Sequence, residues 1–337
     1  MDVGLLILAP LAALITGVAL QLIFSAVLST SAKGWLAFAT GLAALAGVAA
    51  AWWRVYSGHA LDVTFGRWDG PIQLAYHVDS LSLLFALMSA GIGAAVLLYS
   101  IGYMKSEKGT TRFYSLMLLF IAGMINLVYT ADLFLLYFSW EFIGLCSFFL
   151  VGFWYRQTEA AYGARKVLTM THLAGYGLFV SVVLLYHRTG TTLWTDPRVG
   201  AAFSTGIFVL VLTAVLAKSV QFPLYTWIPD AMAAPTPVSA LLHADCYVKA
   251  GVYLIARLHT ITPWPVSWGL MVSWLGAGTL LIGVFFALAQ HDLKRLLAFH
   301  TVSQIGYMML GLGLGTPLGI AAGLFHCLNH GLFKGCL

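Results

Sequence analysis

The residues of this sequence that could do chemistry are ionisable side chains inside long apolar runs. Glu141 lies near the middle of the apolar run 132–154, and Lys218 follows another apolar run. A charge at the centre of a membrane-spanning helix costs about 3 kcal/mol or more, so such a residue normally has a partner or a function. A buried lysine that is separated from its carboxylate tends to release its proton. We therefore expect Glu141 and Lys218 to form a proton switch.

A second group of ionisable residues lies in the stretch SALLHADCYVKAGVYL. Asp245 and Lys249 are spaced i, i+4 and share one face of a predicted helix, whereas His243 points to another face. Histidine changes its charge near neutral pH, so His243 can pass protons, and Lys249 is a second relay candidate. Asp245 either takes part in the relay or simply neutralises Lys249.

A third group forms a polar stripe in FHCLNHGLFKGCL, where His326, His330 and Lys334 recur at i, i+4 and i+8. Such a stripe along an otherwise apolar helix can hold water and pass protons. Histidine pairs at i, i+4 also bind metals or haem, but the sequence has no third ligand at a matching spacing, no HExxH and no CxxCH. We therefore expect neither a metal nor a cofactor.

Five further polar residues are secondary candidates. Asp132 begins the helix of Glu141, where a carboxylate favours the positive end of the helix dipole and caps it. His172 is either a satisfied core histidine or part of the function. Lys294 lies at a predicted helix start, where anchoring at the membrane interface is the simplest role. Ser303 and Gln304, further along that helix, could line a polar path.

The elements that must position these residues follow from composition. Hydrophobic residues make up 61% of the 337 residues and charged residues only 9%, and the mean hydropathy is +0.90. A soluble domain carries about 25% charged residues, so most of this surface faces lipid. The net charge of +5 is spread thinly, which argues against nucleic acid as a partner. The four cysteines show no CxxC spacing and indicate no disulfide framework.

The apolar runs predict an all-α polytopic membrane protein, because a bilayer core requires about 20 apolar residues per helix. Runs this long and continuous do not alternate as barrel strands must, so strands are not expected. The eleven predicted helices are 3–28, 34–54, 79–104, 113–130, 132–154, 164–187, 203–233, 236–258, 266–290, 293–314 and 317 onward.

One predicted helix contains a break. The segment KSVQFPLYTWIPDAMAAPTPVS, which begins at Lys218, has prolines at 223, 229, 235 and 237. Proline removes a backbone donor and clashes with the preceding turn. The segment is either a helix interrupted inside the membrane, as in ion transporters, or a plain loop between two helices. The charge of Lys218 directly before the prolines favours the interrupted helix.

Basic residues predict the orientation. If the N-terminus is outside, the inside loops hold nine lysines and arginines and the outside loops hold five arginines, among them Arg257, so this orientation satisfies the positive-inside rule. The hydrophilic stretch 57–79 then lies outside. The apolar run that begins at Pro317 continues to Leu337 without a polar stop, so we expect a truncated chain.

These stretches resemble a known family, the antiporter-like membrane subunits of respiratory complex I, membrane-bound hydrogenases and Mrp-type sodium/proton antiporters. The resemblance covers most of residues 77–337 and is carried by long motifs in the same order. They are HVDSLSLLFALMSAGIGAAVLLYSIGYM, LLYFSWEFIGLCSFFLVGFWY, AKSVQFPLYTWIPDAMAAPTPVSALLHADCYVKAGVYLIAR, DLKRLLAFHTVSQIGYMML and FHCLNHGLFKG.

The resemblance implies two inverted five-helix repeats, each with a broken helix. Residues 1–111 would hold three N-terminal helices, 112–260 the first repeat, and 261–337 the start of a second repeat whose C-terminal part is missing. It also implies roles: Glu141 matches the coupling glutamate and Lys218 the lysine before the break. His243 with Lys249 matches the central relay, and the stripe of His326, His330 and Lys334 leads to the exit half.

Three positions depart from the family. Asp245 and Cys246 stand where small or apolar residues are usual, and His172 stands where one branch carries an arginine. An extra carboxylate beside Lys249 would raise the proton affinity of that lysine.

The sequence therefore predicts a subunit that carries protons, with sodium as a second candidate ion, inside a larger complex of membrane subunits in a bacterial or archaeal cell membrane. Two alternatives remain open at this point. One is a proton-driven subunit of a bicarbonate or carbon dioxide uptake complex. The other is a haem- or quinone-binding redox subunit that uses His326 and His330.

Overall fold

The computed structural model describes residues 3–67, 72–244 and 247–337, which form thirteen α-helices and one β-hairpin. Eight of these helices are long and apolar enough to cross a membrane. The helices are α1 (Val3–Ile23), α2 (Thr30–Tyr56), α3 (Ser80–Tyr103), α4 (Thr110–Tyr129), α5 (Leu133–Val151), α6 (Thr158–Thr189), α7 (Pro197–Ala202), α8 (Thr205–Lys218), α9 (Thr236–Ala244), α10 (Ala250–Ile261), α11 (Val266–Leu288), α12 (Leu293–Gly313) and α13 (Pro317–Cys336).

Polar residues set where several of the long helices begin. Asp79 caps α3 by accepting from Ser82 N, and Asp292 caps α12 by accepting from Arg295 N. Thr316 caps α13 in the same way. A side-chain oxygen at this position satisfies one of the backbone donors that a helix start leaves free.

Glycines allow α11 and α12 to pack closely. A Cβ on Gly276 would stand 2.5 Å from Leu310 N, and a Cβ on Gly306 would stand 2.6 Å from Leu280 N. Lipid tails are as apolar as leucine, so helices in a membrane associate through such small-residue contacts rather than through a hydrophobic driving force.

The hydrophilic stretch between α2 and α3 forms two strands, which corrects the prediction that the chain contains none. Strand β1 (Leu61–Arg67) pairs antiparallel with β2 (Gln73–Val78). The hairpin then docks on the residues before α5, where Ala131 N donates to Ala75 O at 2.8 Å. The sequence rule failed here because it addressed strands that cross lipid, whereas this hairpin lies beyond the helix ends.

The predicted helix 203–233 is interrupted, as its prolines indicated. Helix α8 ends at Lys218, which is 1% exposed, so the interruption lies inside the protein. The following segment runs without regular helix to a 3₁₀ turn at Asp230–Ala233. Its freed backbone groups find partners within the protein: Trp227 Nε1 donates to Ala217 O and Phe222 N donates to Thr279 Oγ1. Irregular backbone at membrane depth requires such partners.

The predicted helix 236–258 is wrong as a single element. Helix α9 ends at Ala244 and α10 begins at Ala250, with Lys249 at the start of α10. Hence His243 and Lys249 do not share one continuous helix. The two interruptions are in contact, because Ser219 Oγ donates to Val248 O at 2.7 Å.

The two ends of the helix bundle differ in their polar residues. We call one end of the bundle the hairpin end; it carries β1 and β2, and Asp132 lies there at the start of α5. At the basic end, basic side chains tie the helices together: Arg112 donates to Phe153 O, Lys166 pairs with Asp230, and Lys294 lies 3.5 Å from Met232 O.

Candidate functional site

The first polar cluster joins α5 to α6 midway along both helices. The Glu141 carboxylate forms an ion pair with Nδ1 of His172, which assigns a partner to this ambiguous histidine. Both side chains are mostly buried, at 17% and 26% exposure. A Cβ on Gly175 would overlap the carboxylate, so α6 makes room for Glu141. One carboxylate oxygen, Oε1, and one ring nitrogen, Nε2, have no hydrogen-bond partner among the described residues.

No ion pair joins Glu141 directly to Lys218 in the described chain. The Lys218 amine instead donates to Trp140 O at 2.7 Å. It also lies 5.1 Å from the Trp140 ring centroid and 4.8 Å from that of Tyr247. Aromatic faces stabilise a cation that has been removed from water.

A gap over Gly144 connects the ion pair to the lysine. A Cβ on Gly144 would stand 2.9 Å from His172 Nε2 and 3.3 Å from Lys218 Nζ. Both nitrogens therefore face the same small space above a residue that has no side chain. Glu141, His172 and Lys218 thus form one series, with His172 between the acid and the lysine.

The central groups lie where the two interruptions meet. His243 is buried, and its Nδ1 lies 3.3 Å from Thr301 Oγ1 on α12. Its Nε2 has no partner among the described residues. The amine of Lys249 donates to Ala244 O, the last residue of α9. That amine also lies 3.1 Å from the position that a Cβ on Gly331 would take, so it faces α13.

The predicted stripe on α13 faces two other elements. A hydrogen bond of 2.8 Å joins His326 Nε2 to Gln304 Oε1 of α12. His330 is buried beside Gly331, and Lys334 Nζ donates to Leu297 O at 2.6 Å. The structure therefore brings Lys249, His330 and Lys334 together along α13, and Gln304 joins them through His326.

The secondary candidates lie in different places. Asp132 caps α5 by accepting from Leu135 N and also accepts from Gln73 N and Thr192 Oγ1, so its role is that of the predicted cap. Lys294 was predicted to anchor its helix at the membrane interface; its amine also donates to Met232 O and Ala234 O, at the end of the first interruption. Ser303 packs against Gly283 of α11. Asp245 lies outside the described residues.

A buried ion pair at the hairpin end was not predicted from the sequence. Arg257 was expected in an outer loop, but its side chain is 1% exposed and binds Asp79 through two hydrogen bonds of 2.7 and 2.8 Å. Arg257 also donates to Ser82 Oγ and stacks over Trp194. Burial on its own would raise the pKa of Asp79, but hydrogen bonding and the charge of Arg257 outweigh it and lower that pKa to about 2.

An apolar cavity gives side access to the first cluster. It measures about 580 Å³ and is lined by α1, α4 and α5, with Glu141 and His172 among its lining residues. Glu141 and His172 thus line a cavity on the lateral face of the bundle.

The fold and the site define a polytopic membrane protein with two interrupted helices and a series of buried ionisable groups. A sequence model described as NADH:quinone oxidoreductase/Mrp antiporter, TM, matches residues 130–337. A second, described as NADH-ubiquinone oxidoreductase (complex I), chain 5 N-terminus, matches residues 69–114. The chain belongs to this family of antiporter-like membrane subunits, which confirms the resemblance found in the sequence.

Relatives and solved structures agree with this family. NAD(P)H-quinone oxidoreductase chain 5 of Picosynechococcus sp. is 36% identical over 85% of the chain, and NADH-quinone oxidoreductase subunit L of Mycobacterium tuberculosis is 42% identical over 78%. The chain spans 45% and 42% of those two proteins.

Among solved structures, the Mrp complex from a Dietzia species matches with a TM-score of 0.87 at 32% identity, covering 99% of this chain and 36% of the matched chain. An archaeal membrane-bound sulfane sulfur reductase matches at 0.85 and 26%, covering 99% of this chain and 69% of the matched chain.

Proposed function

We propose that this chain carries protons through a multi-subunit membrane complex, along the buried ionisable groups that meet at its two interrupted helices. One observation carries the proposal: Lys218 and Lys249 lie at adjoining interruptions, tied through Ser219 and Val248, with Glu141–His172 on one side and His330–Lys334 on the other. Water and short rearrangements of these groups would complete the route, since a proton needs a series of titratable partners.

The proposed order of transfer follows the contacts. The Glu141–His172 pair exchanges a proton with Lys218 across the space over Gly144. Lys218 passes it toward His243 and Lys249, and the His326–Lys334 stripe carries it on. We propose sodium as a second candidate ion in exchange for protons. Inorganic-carbon uptake and haem binding are not proposed, because the relatives are quinone oxidoreductase and Mrp subunits and His326 is bonded to Gln304.

The orientation and setting belong to the same proposal. The basic end faces the cytoplasm of a bacterial or archaeal cell, because lysines and arginines remain on that side, and the N-terminus is then outside. Residues 112–260 form the first of two inverted repeats, and residues 261–337 begin the second. Other membrane subunits complete the complex and supply the energy.

The test is proton flux in vesicles that contain the complex which copurifies with this chain. A pH dye inside the vesicles reports flux after an imposed pH difference, so the coupled reaction need not be known. We expect Lys218→Ala to lower the flux by about 10³-fold, a typical contribution of a positioned proton-transfer group. Lys105→Ala, which removes an exposed lysine at the basic end, is the control. Wild-type flux in Lys218→Ala would overturn the proposal.

A further inference from the structure

His300, which is not part of the predicted relay, lies beside the relay residues of α13. His300 of α12 faces α13, with its ring centroid 6.4 Å from that of His330 and the two ring planes at 24°. Phe333 packs edge-on against both rings, at 5.9 and 5.3 Å. The two imidazoles therefore form a pair whose position is set by one aromatic side chain.

The ring nitrogens of this pair are poorly satisfied. Nδ1 of His300 and both nitrogens of His330 are buried and have no hydrogen-bond partner among the described residues. Buried polar atoms are normally paired with protein or ordered water, so three such atoms on two adjacent rings indicate groups that bind water or exchange protons. The next pair along α12 and α13 differs, because the 2.8 Å hydrogen bond between Gln304 and His326 is already made.

The charges around the pair are basic. Lys334 and His326 lie on α13, Lys249 faces Gly331 from the second interruption, and His243 contacts Thr301, the residue after His300. No carboxylate contacts His300 or His330 in the described chain. Two imidazolium ions at this separation, beside two lysines, would repel each other strongly in a medium of low dielectric.

We infer that His300 is a proton-carrying residue of the conduit and that it shares a single proton with His330. The proton moves from one ring to the other through a water molecule, because no hydrogen bond joins the two rings directly. The ring that gives up the proton becomes neutral as the other becomes charged, so the pair carries a single positive charge. Lys334, whose amine binds Leu297 O one turn before His300, is the neighbour that receives or supplies the proton. This inference rests on the proposed function and adds a residue of α12 to the route.

The experiment measures proton flux in the vesicles described above with two variants. His300→Asn keeps a polar side chain of similar size but cannot titrate, and we expect the flux per folded complex to fall by about tenfold, which corresponds to 1.4 kcal/mol. In His300→Ala, added imidazole should restore part of the lost flux, because it supplies the missing titratable group. His259→Asn is the control, since His259 stacks on Trp264 and contacts Leu312 O away from the conduit.

Wild-type flux in His300→Asn would overturn the inference, and so would a loss in His300→Ala that imidazole leaves unchanged, as a packing role predicts. Lys218→Ala, measured in parallel, separates the two proposals. If that variant loses its flux while His300→Asn does not, only the role of His300 fails. If neither loses flux, the proposed function fails.

Discussion

Two of the carboxylate–base pairs in this molecule, Asp79–Arg257 and Glu141–His172, differ in how many of their polar atoms lack a hydrogen bond. Asp79 binds Arg257 through two hydrogen bonds, and Arg257 makes further contacts with Ser82 and Trp194. Glu141 contacts His172 once, and each partner keeps an atom without a hydrogen bond among the described residues. We call Asp79–Arg257 the saturated pair, because its hydrogen bonds hold it in one arrangement, and Glu141–His172 the unsaturated pair, because its free atoms can exchange a proton with a third group. We therefore propose that the first pair stabilises the fold and that the second transfers protons.

The largest expected effect comes from breaking the saturated pair. Asp79→Asn leaves the Arg257 charge buried without a counter-charge, and such a change costs about 3 to 5 kcal/mol. Thermal unfolding of the purified complex should show the loss, while flux per folded complex stays near wild type. Asp196→Asn is the matched control, because its partner Arg198 is exposed and surface pairs contribute about 0 to 1 kcal/mol. A similar loss in both variants would refute the assignment.

The same pair predicts how stability depends on pH. The pKa of Asp79 is lowered to about 2 in the folded protein, so its contribution is present above pH of about 4, where the carboxyl is ionised in both states. It is lost as the pH falls from about 4 to about 2. The difference in stability between wild type and Asp79→Asn should therefore shrink over that window. A difference that stays constant down to pH 2 would contradict the lowered pKa.

A smaller effect is expected from closing the gap between the unsaturated pair and Lys218. A Cβ on Gly144 would stand within 3.3 Å of both His172 Nε2 and Lys218 Nζ. Gly144→Ala therefore fills the space through which we propose that the proton passes between them. Flux should fall by about 10²-fold, the low end for losing a positioned proton-transfer step. Gly278→Ala is the control, since a Cβ there meets open space. Equal flux in the two variants would show that the route does not cross Gly144.

Neutralising the acid of the unsaturated pair should cost less. Glu141→Gln keeps the shape of the side chain and leaves His172 and Lys218 in place, so the route persists without its acid. We expect flux to fall by about tenfold, equivalent to 1.4 kcal/mol. Its stability should change far less than that of Asp79→Asn, which the same thermal unfolding measures. A large loss of stability with unchanged flux would reverse the roles of the two pairs.

The sequence predicted features that depend on neighbouring residues in the chain. The prolines after Lys218 predicted the first interruption, and the position of Asp132 predicted a helix cap, because both act on their own backbone. The second interruption contains no proline. There the amine of Lys249 binds Ala244 O, and Ser219, from the first interruption, binds Val248 O, so side chains replace helical hydrogen bonds.

Ion pairs that join distant segments could not be predicted from the sequence. Asp79 and Arg257 are separated by 178 positions, and His172 reaches Glu141 from a different helix. Apolar runs identify the helices but do not say which faces meet. For that reason Arg257 was predicted to lie in a loop, and the position of His172 between Glu141 and Lys218 was not predicted.

The smallest expected effect concerns Tyr247, which contacts the amine of Lys218 through its ring. Its hydroxyl accepts a hydrogen bond from Ser147 at 3.1 Å, and such a bond contributes about 1 kcal/mol. Tyr247→Phe keeps the aromatic face 4.8 Å from Lys218 Nζ, so flux should stay within about threefold of wild type. Tyr247→Leu removes that face and should lower flux further. Equal, large losses in both variants would instead assign the hydroxyl to the proton route, and the lysine would then exchange with Tyr247 as well as with His172.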